Sequence, residues 1–94
     1  MDSKDKENLE AMRTLDFDDL IILHLLGKGD LTVTAIAKSM SLSQPSISQR
    51  LRKISKAFSA ASLIERAGRG IALSPYGQEI SKRASAAIKA LQGL

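Results

Sequence analysis

The stretch from Ser43 to Lys56, SQPSISQRLRKISK, restricts what this chain can become more than any other. Ser43 is a capping residue, and Pro45 falls in the first turn of a helix, where its missing N–H does no harm. Ile47, Leu51, Ile54 and Phe58 recur at intervals of four, three and four, which makes one buried stripe. Leu42 before the cap and Ile47 at the fourth helical position form a hydrophobic staple. The other faces carry Gln44, Ser48, Gln49, Arg50, Arg52, Lys53 and Lys56, with no acidic residue among them. Amides and hydroxyls near the helix start, with cations further along, suit base edges and phosphates respectively. The same residues would also serve as a solvated helix face, so the neighbouring segments decide.

Upstream, Thr32 caps a short helix from Val33 to about Met40, with Val33, Ile36, Ala37 and Met40 facing inward. Ser41-Leu42 leaves room only for a tight turn, and Ala37 is small where the two helices cross. Helices joined this closely match a helix-turn-helix. Before them, Asp16 is an N-cap with Asp19 adding favourable charge, and a helix runs from Phe17 to about Leu26. Its apolar residues, Phe17, Leu20, Ile21, Ile22, Leu23, Leu25 and Leu26, occupy most of the circumference. Such a helix is normally covered on two sides, here by its own core and by a partner subunit. His24, the single histidine, sits within this apolar run and reads as structural; no metal or catalytic role is expected of it.

Downstream, Ser59 to Ser62 is a small polar break. Two extended runs follow, Leu63 to Arg66 and Ile71 to Ser74, with Ala67-Gly68-Arg69-Gly70 between them. Glycines on both sides of one arginine make a hairpin tip with a cation at its apex, which reads as a wing. Arg66 and Arg69 are placed for phosphates or a narrow minor groove. Ser74-Pro75 then starts a last helix reaching about Gln92. Ile80, Ala84, Ala87 (or its neighbour Ile88) and Leu91 form an apolar seam two heptads long. Ala84, Ala86, Ala87 and Ala90 are small enough to admit a second helix, so this segment is expected to be a dimer arm.

Charge adds direction. Residues 1–30 hold four cations against eight acidic groups, a net of −4, while residues 31–94 hold ten cations against Glu65 and Glu79, a net of +8. A basic body behind an acidic leader points to a polyanionic partner. Ninety-four residues bury a limited core, so leftover apolar surface argues for oligomerisation. With no Cys, disulfides and thiolate metal sites are excluded. No signal peptide is visible and no apolar run is long enough to span a bilayer, so the expected location is cytoplasmic, without membrane contact. No nucleophile, base and oxyanion donor can be assembled, so neither an enzyme nor a cofactor is expected.

From Leu31 to about Ala84 the chain resembles the N-terminal DNA-binding domain of LysR-type transcriptional regulators. The matching pieces are Thr34 and Ala37, Leu42-Ser43-Gln44-Pro45-Ser46-Ile47-Ser48, the run from Leu63 to Ser74, and Gly77. The resemblance implies a mostly α fold: a winged helix-turn-helix with a three-helix core, a two-stranded wing and a long C-terminal dimerisation helix. By position it assigns Gln44, Pro45, Ser48 and Gln49 to bases and Arg66 and Arg69 to the wing contacts. The family often has Arg where this chain has Gln49, and Gln where it has Arg50. The segment Ser59 to Ser62 is one residue longer than usual, residues 1–15 have no counterpart, and no small-molecule effector domain is expected within these 94 residues.

The expected organisation is a polar extension over residues 1–15, a winged helix-turn-helix over 16–74 and a dimerisation helix over 75–94. The expected function is sequence-specific binding of double-stranded DNA as a homodimer, in transcriptional regulation. Recognition helix 43–57 would lie in the major groove and wing 66–70 on backbone or minor groove. Ser43, Gln44, Pro45, Ser48, Gln49, Arg50, Arg52, Lys53, Arg66 and Arg69 are the expected DNA contacts. Ile80, Ala84, Ala87, Ile88 and Leu91 are the expected dimer contacts. The alternative is a winged-helix interaction or dimerisation module without specific DNA binding.

Overall fold

The structure is a computed structural model that describes residues 9–10, 12–58 and 62–93. Most of the expected polar extension, and Ser59 to Ala61 of the expected polar break, lie outside the described residues. Ahead of the domain, Arg13 N–H donates to Leu9 O at 3.0 Å and Leu15 N–H to Met12 O at 3.0 Å, and the chain passes through Leu15 into the first long helix.

Five elements follow one another before a final helix: α1 (Phe17–Gly27), α2 (Val33–Met40), α3 (Gln44–Ala57), β1 (Ile64–Ala67), β2 (Gly70–Leu73) and then α4 (Pro75–Gln92). Every element donates to one core. Ile22, Leu23 and Leu26 come from α1, Ile36 and Ala37 from α2, and Ile47 and Ile54 from α3. Leu63 and Leu73 come from the hairpin and Ala84 from α4; none of the ten is more than 6% exposed. Leu51 and Phe58, the other members of the α3 stripe, pack on its edge together with Leu42.

The helix starts follow the capping chemistry of the sequence. Thr32 Oγ1 accepts from the Ala35 N–H at 3.0 Å, Ser43 Oγ from Ser46 N–H at 3.2 Å, and Ser74 Oγ from Gly77 N–H at 3.0 Å. The turn between α2 and α3 closes as a Schellman motif. Leu42 N–H donates to Ala37 O at 3.0 Å, Ser41 N–H donates to Lys38 O at 3.3 Å, and Ser41 is left-handed at φ 56°.

The strands differ slightly from their expected bounds. Ala67 pairs with Gly70 across a two-residue turn, Gly68-Arg69, and Gly68 has φ +57°. A positive φ at the first central residue only is the pattern of a type II′ hairpin turn. Ser74 leaves β2 because its side chain caps α4, while its N–H donates to Leu63 O at 2.8 Å. Leu31 pairs with Ile71 as an isolated bridge, through hydrogen bonds of 3.1 and 2.8 Å. The wing is thus rooted in the α1–α2 connection. Gly70 is required there, since a Cβ on it would fall 2.7 Å from Leu31 O.

The last helix packs along α1. Gly77, Ser81, Ala84 and Ile88 are its buried residues, and Ser81 Oγ donates to Leu23 O at 2.8 Å. Gly27 and Ser81 meet so closely that a Cβ on Gly27 would overlap Ser81 Oγ. His24 Nδ1 lies 2.7 Å from Ser85 Oγ across the same contact. Of the residues expected to face a partner helix, Ala84 and Ile88 are buried and Ile80 packs on the edge of the chain's own core. Ala87 and Leu91 are exposed. The physical reason is that α1 is apolar all round and takes the first two turns of the α4 seam for itself.

Gly77 marks a close approach to backbone in this arrangement, because a Cβ there would overlap Leu63 O and stand 3.1 Å from the Leu73 side chain. Gly77→Ala should therefore destabilise the domain by about 1–3 kcal/mol in urea unfolding, despite the better helix propensity of alanine. Gly93→Ala, whose Cβ would meet its nearest neighbour at 3.5 Å, should be neutral or slightly stabilising.

Candidate nucleic-acid interface

Successive helical residues are about 100° apart, so the core stripe of α3 leaves a defined opposite face. That face holds Pro45, Gln49, Arg52 and Lys56, all exposed. Gln44 is exposed at the first helical position, and Ser48 lies half-buried beside it. The expected base-contacting set thus reaches the surface together, on one side of one helix. The wing arginines, Arg66 and Arg69, are exposed as well. Among the described residues, Arg52, Lys56, Arg66 and Arg69 form no ion pair.

Arg50 and Lys53 are placed differently. Both lie on the flank of α3 that meets the N-terminus of α1. Arg50 Nη1 donates to both oxygens of Asp16, at 2.6 and 2.8 Å, and to Asp19 Oδ1 at 3.2 Å. Its Nη2 stands 3.4 Å from Asp18 Oδ2. Lys53 Nζ is 2.6 Å from Asp19 Oδ2 and 3.7 Å from Asp16 Oδ2. Two residues expected to meet phosphate therefore already face carboxylates of their own chain. Arg50 is 22% exposed, and its Nε is buried without a partner among the described residues. An open concavity lined by Ser46, Gln49, Arg50 and Lys53 runs along this flank.

Reading the helix by itself missed these acids because they belong to an element more than thirty residues earlier. Asp16 and Asp19 were legible as a helix start. They make a reciprocal capping box: Asp16 Oδ1 accepts from the Asp19 N–H and Asp19 Oδ2 from the Asp16 N–H, each at 3.0 Å. Asp19 is fully buried. The available signal was the spacing of Arg50 and Lys53, three residues apart and so on one flank of α3, the flank opposite to Arg52.

A short helix, a tight turn, a second helix with its polar face open and a hairpin rooted beside them define a winged helix-turn-helix domain. A family model described as bacterial regulatory helix-turn-helix protein, lysR family, matches residues 29–78. That is more than half of the chain, and the chain belongs to this family. The family is one of DNA-binding transcription regulators and not of enzymes, and the resemblance seen in the motifs is thereby upheld. The match covers α2, α3 and the wing and ends in the first turn of α4. No curated protein and no solved structure matches the chain. Among the described residues, no helix is long and apolar enough to cross a membrane.

The hydrogen bond from Arg50 holds the Asp16 carboxyl down at about 2, from an ordinary 3.8, and the same bond is the chief cause that raises the Arg50 guanidinium above its ordinary value. Because the folded-state value of Asp16 is the lower one, its pairing stabilises the fold fully above pH 3.8 and is lost as pH falls through about 2. Thermal unfolding between pH 5 and pH 2 should show wild type losing its advantage over Asp16→Asn across that window, with the two converging at the acid end.

Proposed function

We propose that this domain binds double-stranded DNA sequence-specifically as a homodimer and so regulates transcription in the cytoplasm. Residues 43–57 enter the major groove, and residues 66–70 rest on the backbone or minor groove. The observation that carries this reading is the exposed row Pro45, Gln49, Arg52 and Lys56, directly opposite the core stripe, whose cations form no ion pair among the described residues. Gln44, Ser48 and Gln49 read base edges, with the amide of Gln44 suited to adenine, and Pro45 packs against the groove. The Ser43 hydroxyl is engaged as the cap, so Ser43 acts by fixing the helix start. Arg52, Lys56, Arg66 and Arg69 meet phosphates and set register.

Two copies would place their recognition helices about 34–36 Å apart, in successive turns of the duplex. The surface proposed for pairing is the exposed part of α4 around Ala87 and Leu91, with Ile80, Ala84 and Ile88 supporting it from inside the protomer. Leu91 is 51% exposed and Phe17 of α1 is 45% exposed, apolar area that a small domain does well to cover.

Gel-shift titrations over several salt concentrations test the DNA assignment. Gln44→Ala should cost about 1–3 kcal/mol on the preferred site and relax the preference at one base pair. Arg69→Ala should weaken all duplexes alike and flatten the plot of log affinity against log salt by about 0.9. Failure of the wild-type chain to bind random duplex at low salt would favour the interaction-module alternative. For the dimer, sedimentation of Leu91→Glu should give a monomer where wild type gives a dimer; unchanged sedimentation would place the contact elsewhere.

A further inference from the structure

We infer that Arg50 is a positioning residue, whose guanidinium fixes the roll of the recognition helix against the acidic start of α1 and supplies no charge to the DNA backbone. The inference rests on the DNA-binding reading above and deepens it.

Roll is the motion that needs control. Ile47, Leu51, Ile54 and Phe58 lie within about 60° of the α3 circumference at 100° per residue. A helix seated on so narrow a stripe is free to rock about it. With side chains reaching about 6 Å from the axis, a 10° roll carries a tip through about 1 Å. The working range of an N–H···O bond to a base edge is about half that. A second row of contacts, to one side of the stripe, removes this freedom, and Arg50 and Lys53 occupy that row.

The geometry around Arg50 is that of a clamp. One nitrogen takes both oxygens of Asp16 and one of Asp19, and the other faces Asp18. These acids all come from the cap and first turn of α1, so the fork grips a rigid helix end and not a loop. Its Nε is buried and unpartnered among the described residues, whereas an arginine reaching for phosphate keeps its donors in water. Three carboxylates surround two cations here, leaving a local charge of about −1 that repels rather than attracts a phosphate.

The test uses the 94-residue chain with two probes: a duplex selected by wild type from a random pool, and a random-sequence duplex of equal length. For Arg50→Gln, the salt slope should stay at the wild-type value, while the ratio of selected to random affinity falls about tenfold. Arg52→Gln, a backbone contact, should instead lower the slope by about 0.9. Arg50→Lys should not restore the ratio, because one ammonium on a flexible stem does not face Asp18 while it holds Asp16 and Asp19. Asp16→Asn retains a good helix cap and should lower the ratio in the same direction as Arg50→Gln. A slope reduced by about one unit in Arg50→Gln, or tighter binding to both duplexes in Asp16→Asn, would overturn the inference, since either means that the charge serves DNA. A double-mutant cycle of Arg50→Gln with Asp16→Asn, followed by thermal unfolding without DNA, judges the clamp separately. Non-additive losses support it, and additive losses overturn it. If wild type binds neither duplex, the DNA-binding reading fails, and this cycle alone decides whether the clamp exists.

Discussion

A carboxylate with no exposure to water has to be satisfied by the protein, and in this domain that carboxylate belongs to Asp19. It accepts from the Asp16 backbone and from Arg50 and is ion-paired with Lys53, so the start of α1 and the middle of α3 are held to one another by its needs. Replacing a whole buried ion cluster by apolar residues is often neutral or stabilising, whereas removing one partner alone costs about 3–5 kcal/mol. The cluster therefore contributes geometry more than stability. The apolar core decides that α3 packs on α1, and the ion cluster decides at what angle about its own axis it does so.

The same cluster sorts the cations of the recognition helix. Arg50, Arg52, Lys53 and Lys56 are equivalent in a count of charge. Their angles about the helix axis separate them. Arg52 and Lys56 point away from the core and meet no acid among the described residues, while Arg50 and Lys53 turn toward the first turn of α1. The net positive charge of residues 31–94 thus overstates what this helix offers to a polyanion, because part of it is neutralised from the acidic leader.

Local rules carried far in this chain. Asp16, Thr32, Ser43 and Ser74 each cap the helix that their sequence context indicates, and the stripe from Ile47 to Phe58 faces the core. The glycine-flanked arginine makes the hairpin, and the Ser-Gln-Pro start opens the second helix of the helix-turn-helix. What the sequence concealed involves partners distant in the chain. Leu31 joins the wing root forty residues later, and Asp16 and Asp19 meet α3. The seam of α4 is the instructive case. Its spacing is correct for a paired helix, yet α1 of the same chain covers Ala84 and Ile88. Heptad spacing specifies that a helix is partnered on one side, and it does not say whether the partner belongs to the same chain.

Division of labour between the two kinds of cation also follows from screening. At physiological salt the Debye length is about 8 Å, so in the proposed complex exposed charges such as Arg52, Lys56, Arg66 and Arg69 would interact with phosphates over short range and in competition with counterions. An arginine that is four-fifths covered, set among three acids of which one is fully buried, is much less accessible to that competition. On the proposed reading, salt would modulate how tightly the face adheres to a duplex while leaving the orientation of Gln44, Ser48 and Gln49 in place. Affinity and base discrimination become separable quantities in such a design, the first set by cations in water and the second by a helix held from its flank.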